Sequence, residues 1–133
     1  MAEVTKFSCN LEDRPANDAT VLRLTGFIDS ISYQALKAVL VSWMNGDQIT
    51  PRKHLVIDCQ GVIYCASAGW SVLFRQTSML REQKRGLVMF NMSDRLAQSL
   101  LLLETKSRMI HLAADEVSAF KALTQVATAE PEL

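Results

Sequence analysis

Val56-Ile57-Asp58-Cys59-Gln60-Gly61-Val62-Ile63-Tyr64-Cys65-Ala66-Ser67-Ala68-Gly69-Trp70 is the stretch whose reading decides the fold. Leu55, Val56 and Ile57 form a short, nearly continuous apolar run, as in a strand covered on both faces. A tight turn follows, and then Ser67 at the mouth of a helix. That helix is predicted over residues 67–85, because Trp70, Leu73, Phe74, Thr77 and Leu80 share one side of it. Gly86 ends it. A serine so placed can cap the helix, attack a substrate or carry a phosphate. Capping is expected whichever of the others holds, since a side-chain oxygen there satisfies an orphan N–H.

Working outward, Val4 to Leu11 fits a short edge strand, and residues 12–20, polar and containing Pro15, read as a loop or hairpin connection. Val21 to Phe27 alternates apolar and polar residues, as a strand does. Asp29, Ser30 or Ser32 can then cap a helix whose apolar face is Leu36, Val39, Leu40, Trp43 and Met44. Gly46 can take the left-handed conformation that stops it. His54, beside Arg52 and Lys53, looks like a solvent-exposed strand entry. Arg81, Lys84 and Arg85 form a basic cluster expected to be solvated and to complement the helix dipole.

Leu87 to Phe90 is a third buried strand. Ser93 is a plausible cap for a helix from Asp94 to about Glu104, with Leu96, Leu100 and Leu103 inward. Met109 to Leu112 is a short strand. Asp115 opens a last helix with Val117, Phe120, Leu123 and Val126 as its stripe. The expected organisation is an N-terminal strand and loop over 1–18, a domain over 19–127 and a disordered tail over 128–133. Alternating strands and helices with short links imply a single α/β domain. It would have a small, mostly parallel mixed sheet, an antiparallel N-terminal edge strand and about four helices.

Composition narrows the function classes. The chain has 133 residues, with 14 Lys+Arg balancing 14 Asp+Glu. Zero net charge argues against a nucleic-acid binder and against steering to an anionic membrane. No apolar run approaches the ~20 residues that cross a bilayer, and no secretory signal is evident. Three cysteines, Cys9, Cys59 and Cys65, without Cys-x-x-Cys spacing, point to a reducing, cytoplasmic setting. Cys59 and Cys65 read as small apolar fillers. No spacing suggests a metal site, and no phosphate-binding glycine loop suggests a bound nucleotide, so no cofactor is expected.

The residues resemble the STAS domain, the fold of bacterial anti-sigma factor antagonists. Leu22-x-Leu24-x-Gly26-Phe27-Ile28-Asp29 is similar to the family's strand ending in Gly-x-x-Asp. Leu55-Val56-Ile57-Asp58 with Gly61-Val62 resembles its central strand. Tyr64-Cys65-Ala66-Ser67-Ala68-Gly69 lies where the family has aromatic–aliphatic–Asp–Ser–Ser/Thr–Gly, with Ala66 for the Asp and Ala68 for the second hydroxyl residue. Arg85 to Asn91 resembles the next strand, and Asp115-Glu116-Val117-x-Ala119-Phe120-x-x-Leu123 the closing helix. The resemblance implies a non-enzymatic partner-switching protein with Ser67 as phosphoacceptor. Unphosphorylated, it would bind and sequester an anti-sigma factor that is a serine kinase of the histidine-kinase-like ATPase fold. ATP and magnesium would belong to that kinase, and a metal-dependent serine phosphatase would reset the switch.

The docking face expected on this reading comprises Asp29, Ser30, Ile31, Tyr64, Cys65, Ala66, Ala68, Gly69, Trp70, Ser71 and Met92. Trp70 shares its helix face with Leu73 and Phe74, which predicts a core position, yet an aromatic beside Ser67 is also a candidate anchor. Two other readings stand beside this one. Ala66 and Ala68 fit a STAS module that regulates a transporter or larger assembly without phosphorylation. Cys65-Ala66-Ser67-Ala68-Gly69, with Asp94 and His111 following, resembles half of a serine-hydrolase nucleophile elbow.

Overall fold

The computed structural model describes residues 6–47, 49–103 and 110–128. Strand β1 (Ser8–Arg14) runs antiparallel to β2 (Ala19–Ile28). Strands β3 (His54–Cys65), β4 (Leu87–Phe90) and β5 (His111–Ala113) follow in parallel, so the sheet order is β1-β2-β3-β4-β5. Helices α1 (Tyr33–Asn45), α2 (Ser67–Glu82) and α3 (Asp94–Leu101) lie between successive parallel strands, and α4 (Glu116–Thr128) follows β5. This is the mixed, mostly parallel sheet that the alternating pattern predicts.

A right-handed crossover is the rule for parallel strands. Each step here moves one strand along in the same direction, so that rule sends α1, α2 and α3 to one face. Leu36, Leu40, Trp43, Trp70, Leu73 and Leu100 pack there with Leu22, Leu55 and Ile57. Helix α4 covers the opposite face, with Ala119, Leu123 and Val126 against Val21, Val56 and Val88. Val56 and Ile57 therefore enter different cores, as the run at 55–57 predicts.

Several local expectations change. Where the sequence reads as a turn after Ile57, β3 carries on to Cys65. Its pairing passes from Arg23–Asp58 to Thr25–Gly61, and from Gly26–Val62 to Phe27–Tyr64. Each passage leaves one extra residue on β3, as a bulge does. Gly61 serves close approach there: a Cβ would stand 2.6 Å from Thr25 Cγ2. The supposed loop at 12–20 shrinks to a 3-10 turn over Pro15–Asn17, because the polar residues before it are strand residues that form ion pairs. Glu12 binds Arg14 and Arg23, and Asp13 binds Arg52.

Helix α2 ends at Glu82, short of Gly86, because Lys84 takes the left-handed conformation, φ 61°. His54 is buried, and its Nδ1 accepts the Gly86 N–H at 2.9 Å. Arg85 is no solvated charge. It donates to the Lys53 and Arg52 carbonyls at 2.8 and 2.9 Å and lies 5.2 Å from the Trp43 ring centroid. On α4, Ala119 is buried and Val117 is exposed, since the helix begins at Glu116 with Asp115 as its cap. Strand β5 begins at His111, and Thr128, assigned to the tail, ends α4; Met109, Glu104 and residues 129–133 lie outside the described residues. Gly46 (φ 73°) and Ser93, which accepts the Leu96 N–H, end α1 and begin α3 as expected.

Candidate functional site

Strands β2 and β3 end together, with Ile28 paired to Cys65. The Ala66 N–H donates to the Ile28 carbonyl at 2.7 Å. Two turns therefore leave one sheet edge side by side, 29–32 into α1 and 66–67 into α2. In the first, Asp29 Oδ1 accepts the Ile31 and Ser32 N–H groups at 2.9 and 2.8 Å. The Asp29 N–H in turn donates to Ser32 Oγ at 2.9 Å. This reciprocal arrangement has the pattern of a capping box, closed around the turn that precedes α1. Asp29 and Ser32 thus brace the turn that leads into α1, whose own cap position is Ser32, and Ser30 stays exposed. The Ser32 and Ile31 N–H groups hold the Asp29 carboxyl below its ordinary range, because they stabilise the charged form.

The second turn corrects an expectation. Ala66, extended at φ −76° and ψ 165°, occupies the cap position of α2, and no side chain caps that helix. Ser67 is the first helical residue, and it is exposed. The Trp70 N–H closes the first turn on the Ala66 carbonyl at 3.1 Å. One residue of register thus moves the Ser67 hydroxyl from the helix end to the surface.

Three residues expected on the docking face lie beneath it. Trp70 is 1% exposed, and its Nε1 donates to Ser99 Oγ at 3.3 Å, which ties α2 to α3. Cys65 is buried, and burial pushes its thiol up to about 12. It is a filler and not a nucleophile. Gly69 is buried because α2 sits directly on the end of β2; a Cβ would stand 2.5 Å from Ile28 Cγ2 and 2.8 Å from Cys65 Sγ. These three support the turn from below and offer no side chain to a partner.

Met92 is also misplaced by the sequence reading. Phe90, the last residue of β4, is level with Asp58, well short of Cys65. Asn91 then turns the chain at φ 59°, with Nδ2 bonded to Asp58 Oδ1 at 3.1 Å. Met92 packs half-buried against the core and is not brought to the 65–67 turn by the sheet.

What surrounds Ser67 at the surface is small or apolar. Ala66 and Ala68 flank it half-buried, and Ser71 is exposed one turn on. Ile31 on the neighbouring turn is 82% exposed. Tyr64 is 48% exposed, with its ring centroid 6.2 Å from that of Phe27. Ile63, also exposed, is an addition that the sequence reading missed, because it ended the strand too early. Exposed apolar side chains and polar turn residues thus lie together at this edge.

The elbow reading does not assemble. His111 pairs with Val88, which is level with Val56. Nine strand positions separate Val56 from Cys65, a span of roughly 25–30 Å at about 3.3 Å per residue. The sheet therefore holds His111 far from Ser67.

Solved structures share this architecture. An anti-sigma factor antagonist from Mycobacterium paratuberculosis superposes with a TM-score of 0.73 at 19% identity, over 90% of this chain and 95% of its own. RsbS of Moorella thermoacetica gives 0.66 at 18%, over 93% and 99%. SpoIIAA of Bacillus, in its phosphorylated form, gives 0.61 at 14%, over 86% and 99%. At these identities the likeness is one of fold. No curated protein matches the chain. The family model of the STAS domain matches residues 10–119, and by that match this chain belongs to the STAS domain family.

Proposed function

We propose that this protein is an anti-sigma factor antagonist that switches partners through phosphorylation of Ser67. In the unphosphorylated state it binds and sequesters an anti-sigma factor serine kinase of the histidine-kinase-like ATPase fold. The kinase phosphorylates Ser67 and is released, and a metal-dependent serine phosphatase restores the binding form. ATP and magnesium are the kinase's. Asp29, Ser30, Ile31, Tyr64, Ala66, Ala68 and Ser71 form the docking face around Ser67.

The observation that carries this reading is an exposed Ser67 at an uncapped helix N-terminus inside an apolar edge. A phosphoserine adds about −1.5 to −2 charges. The free N–H groups and positive end of α2 accept such an anion, a favourable contact of roughly 0.3–1 kcal/mol. The fold therefore tolerates the modification. A partner packed over Ile31 and Tyr64 would bury the same charge unpaired, at high cost. Modification then spares the domain and breaks the complex. That SpoIIAA has been solved in unphosphorylated and phosphorylated forms supports a phosphate on this fold.

The test uses the candidate kinase with ATP and intact-mass spectrometry. One phosphate on the wild type and none on Ser67→Ala is the expected result. Ser67→Asp is expected to weaken kinase binding while the melting temperature stays level or rises slightly. Phosphate on Ser71, or binding that ignores the charge at position 67, would overturn the switch. The latter would favour a regulatory module of a transporter or larger complex.

A further inference from the structure

Strand β1 is the outer strand of the sheet, with β2 on one side and, among the described residues, no strand on the other. Among those residues, its backbone hydrogen bonds to other elements go to β2 alone. An open edge of 7 residues is a template for a further strand, and sheets ordinarily protect such an edge with a bulge, a proline or an unanswered charge. Strand β1 uses none of these. Its register with β2 runs from Ser8–Thr25 to Arg14–Ala19 without a shift, and Pro15 comes only after its last residue. Its charges are answered inside the domain: Glu12 by Arg14 and Arg23, Arg14 also by Glu116, and Asp13 by Arg52. The opposite edge, β5, has only 3 residues and offers no comparable ladder.

The side chains along this edge are sorted by face. Phe7, Cys9 and Leu11 form a row half-buried against the core that α1, α2 and α3 cover. Ser8 and Asn10 alternate with them and are exposed on the other face. The Lys6 carbonyl lies beside Gly26, so the chain already follows β2 before β1 begins. Lys6 itself is exposed and in no ion pair among the described residues.

The geometry points to a second copy of this chain as the occupant, paired antiparallel along β1 about a two-fold axis at Cys9. Residues directly opposite in such a pair share a face and touch. This axis sets Cys9 against its own duplicate, and it sets Phe7 against Leu11, Ser8 against Asn10 and Lys6 against Glu12, each of these twice. Apolar meets apolar, hydroxyl meets amide, and ammonium meets carboxylate. An axis at Asn10 would instead set Phe7 against Asp13 and Lys6 against Arg14. One at Leu11 would set Cys9 against Asp13 and Phe7 against Pro15. Complementarity therefore selects Cys9. A two-fold contact closes on itself, so it yields a dimer and not a fibre. The strands of the two copies run in opposite senses, so the ends of β2 and β3, where Ser67 lies, face opposite ends of the joined sheet. This assignment does not rest on the phosphorylation of Ser67, and its test needs no partner protein.

A contact of one strand pair is small and weak, so sedimentation velocity on the full chain should show a monomer passing into a dimer between about 10 μM and 1 mM. Diamide, a thiol oxidant, should then link the dimer through Cys9, because directly opposite Cα atoms stand about 4.5–5.5 Å apart, within disulfide reach. Cys59 and Cys65 are buried, so Cys9→Ser should abolish the link. Cys9→Ser/Leu11→Cys should also fail to link, because residue 11 of one copy stands roughly 13 Å along the strand from residue 11 of the other. Lys6→Glu, on an exposed residue without an ion pair, sets like charges opposite each other twice and should weaken the dimer by about tenfold or more. A chain still monomeric at the top of that concentration range would overturn the assignment. So would a dimer indifferent to Lys6→Glu, or a link that forms as readily through position 11 as through position 9, which would show a different register or a different face.

Discussion

Asp29, in the turn before α1, and Ser67, the first residue of α2, lie on neighbouring turns at one sheet edge and serve them differently. Asp29 is consumed by its own turn, where its carboxylate holds the Ile31 and Ser32 N–H groups. Ser67 holds nothing, so its hydroxyl is free for chemistry at the cost of a cap on α2. Ser67→Ala should therefore leave the melting temperature within error of the wild type. A capping serine would lose ~1 kcal/mol on the same substitution. Gly69→Ala should behave in the opposite way. Alanine is worth up to ~1 kcal/mol more than glycine in a helix. However, its Cβ would meet Ile28 Cγ2 at 2.5 Å and Cys65 Sγ at 2.8 Å. Both neighbours are core atoms, and overpacking of that kind costs about 1–3 kcal/mol. Thermal unfolding of the two variants side by side checks the pair. A destabilised Ser67→Ala, or a stabilised Gly69→Ala, would mean that the turn is built differently.

At the scale of elements, the helices and the central strands were legible because burial repeats with their own periods. Trp70, Leu73, Phe74, Thr77 and Leu80 mark α2, and all are buried. The ends were harder, because they depend on single residues whose conformation composition does not reveal. Lys84 takes the positive φ that a reader gives to Gly86, so α2 stops early. Asp58, Gln60 and Gly61 interrupt the apolar pattern of β3, yet the strand passes through them with bulges, which hid Ile63. The phosphoacceptor candidate was legible from its place between strand and helix. That Trp70 lies in the core was legible from the face it shares with Leu73 and Phe74; that Met92 packs half-buried against the core, beyond a β4 that ends level with Asp58, followed from pairing register, which no local pattern carries. Arg85 shows the same limit. It locks the end of α2 to residues before β3 by forked bonds to two carbonyls and by stacking on Trp43. Lysine cannot reproduce that fork or the planar stack. Arg85→Lys is expected to cost roughly 1–2 kcal/mol and to change the near-ultraviolet circular dichroism of Trp43, with far-ultraviolet helix content preserved. An unchanged melting temperature would make Arg85 the solvated charge that its sequence suggested.

For the whole molecule, two groups far apart in the chain mark separate stages of the response to acid. On the sheet face beside α4, Arg23 joins Glu12, Asp58 and Glu116, so strands β1, β2 and β3 and helix α4 meet in one charged network. Hydrogen bonds from Arg23 and then Arg14 hold the Glu12 carboxyl down to about 2 from its ordinary 4.5. A depressed carboxyl stabilises the fold fully above its unfolded value and loses that contribution as pH falls through its folded value. Glu12 therefore acts between about pH 4.5 and 2. His54 acts earlier. Burial, followed by the charge of Lys53, lowers its pKa from the ordinary 6.5. Its neutral Nδ1 accepts the Gly86 N–H, and a proton on that nitrogen abolishes the bond. The unfolded chain then binds more protons than the native one below about 6.5. Stability from His54 is thus complete above that pH and declines as pH drops through the lowered folded value. Urea unfolding as a function of pH should show a plateau above about 7, a first decline beginning near 6.5 and a second below about 4.5. His54→Asn keeps an acceptor without a titration, so it should remove the first decline and leave the second. Glu12→Gln should leave the first decline and reduce the second, to which Asp13, Asp29 and Asp115, also held below their ordinary range by hydrogen bonds, contribute the remainder. His54→Ala should instead lower stability throughout the plateau by about 1–3 kcal/mol, because the buried Gly86 N–H loses its acceptor. If His54→Asn keeps the first decline, the proton is taken up elsewhere and the His54–Gly86 bond is not the link between the start of β3 and the start of β4 that the geometry indicates.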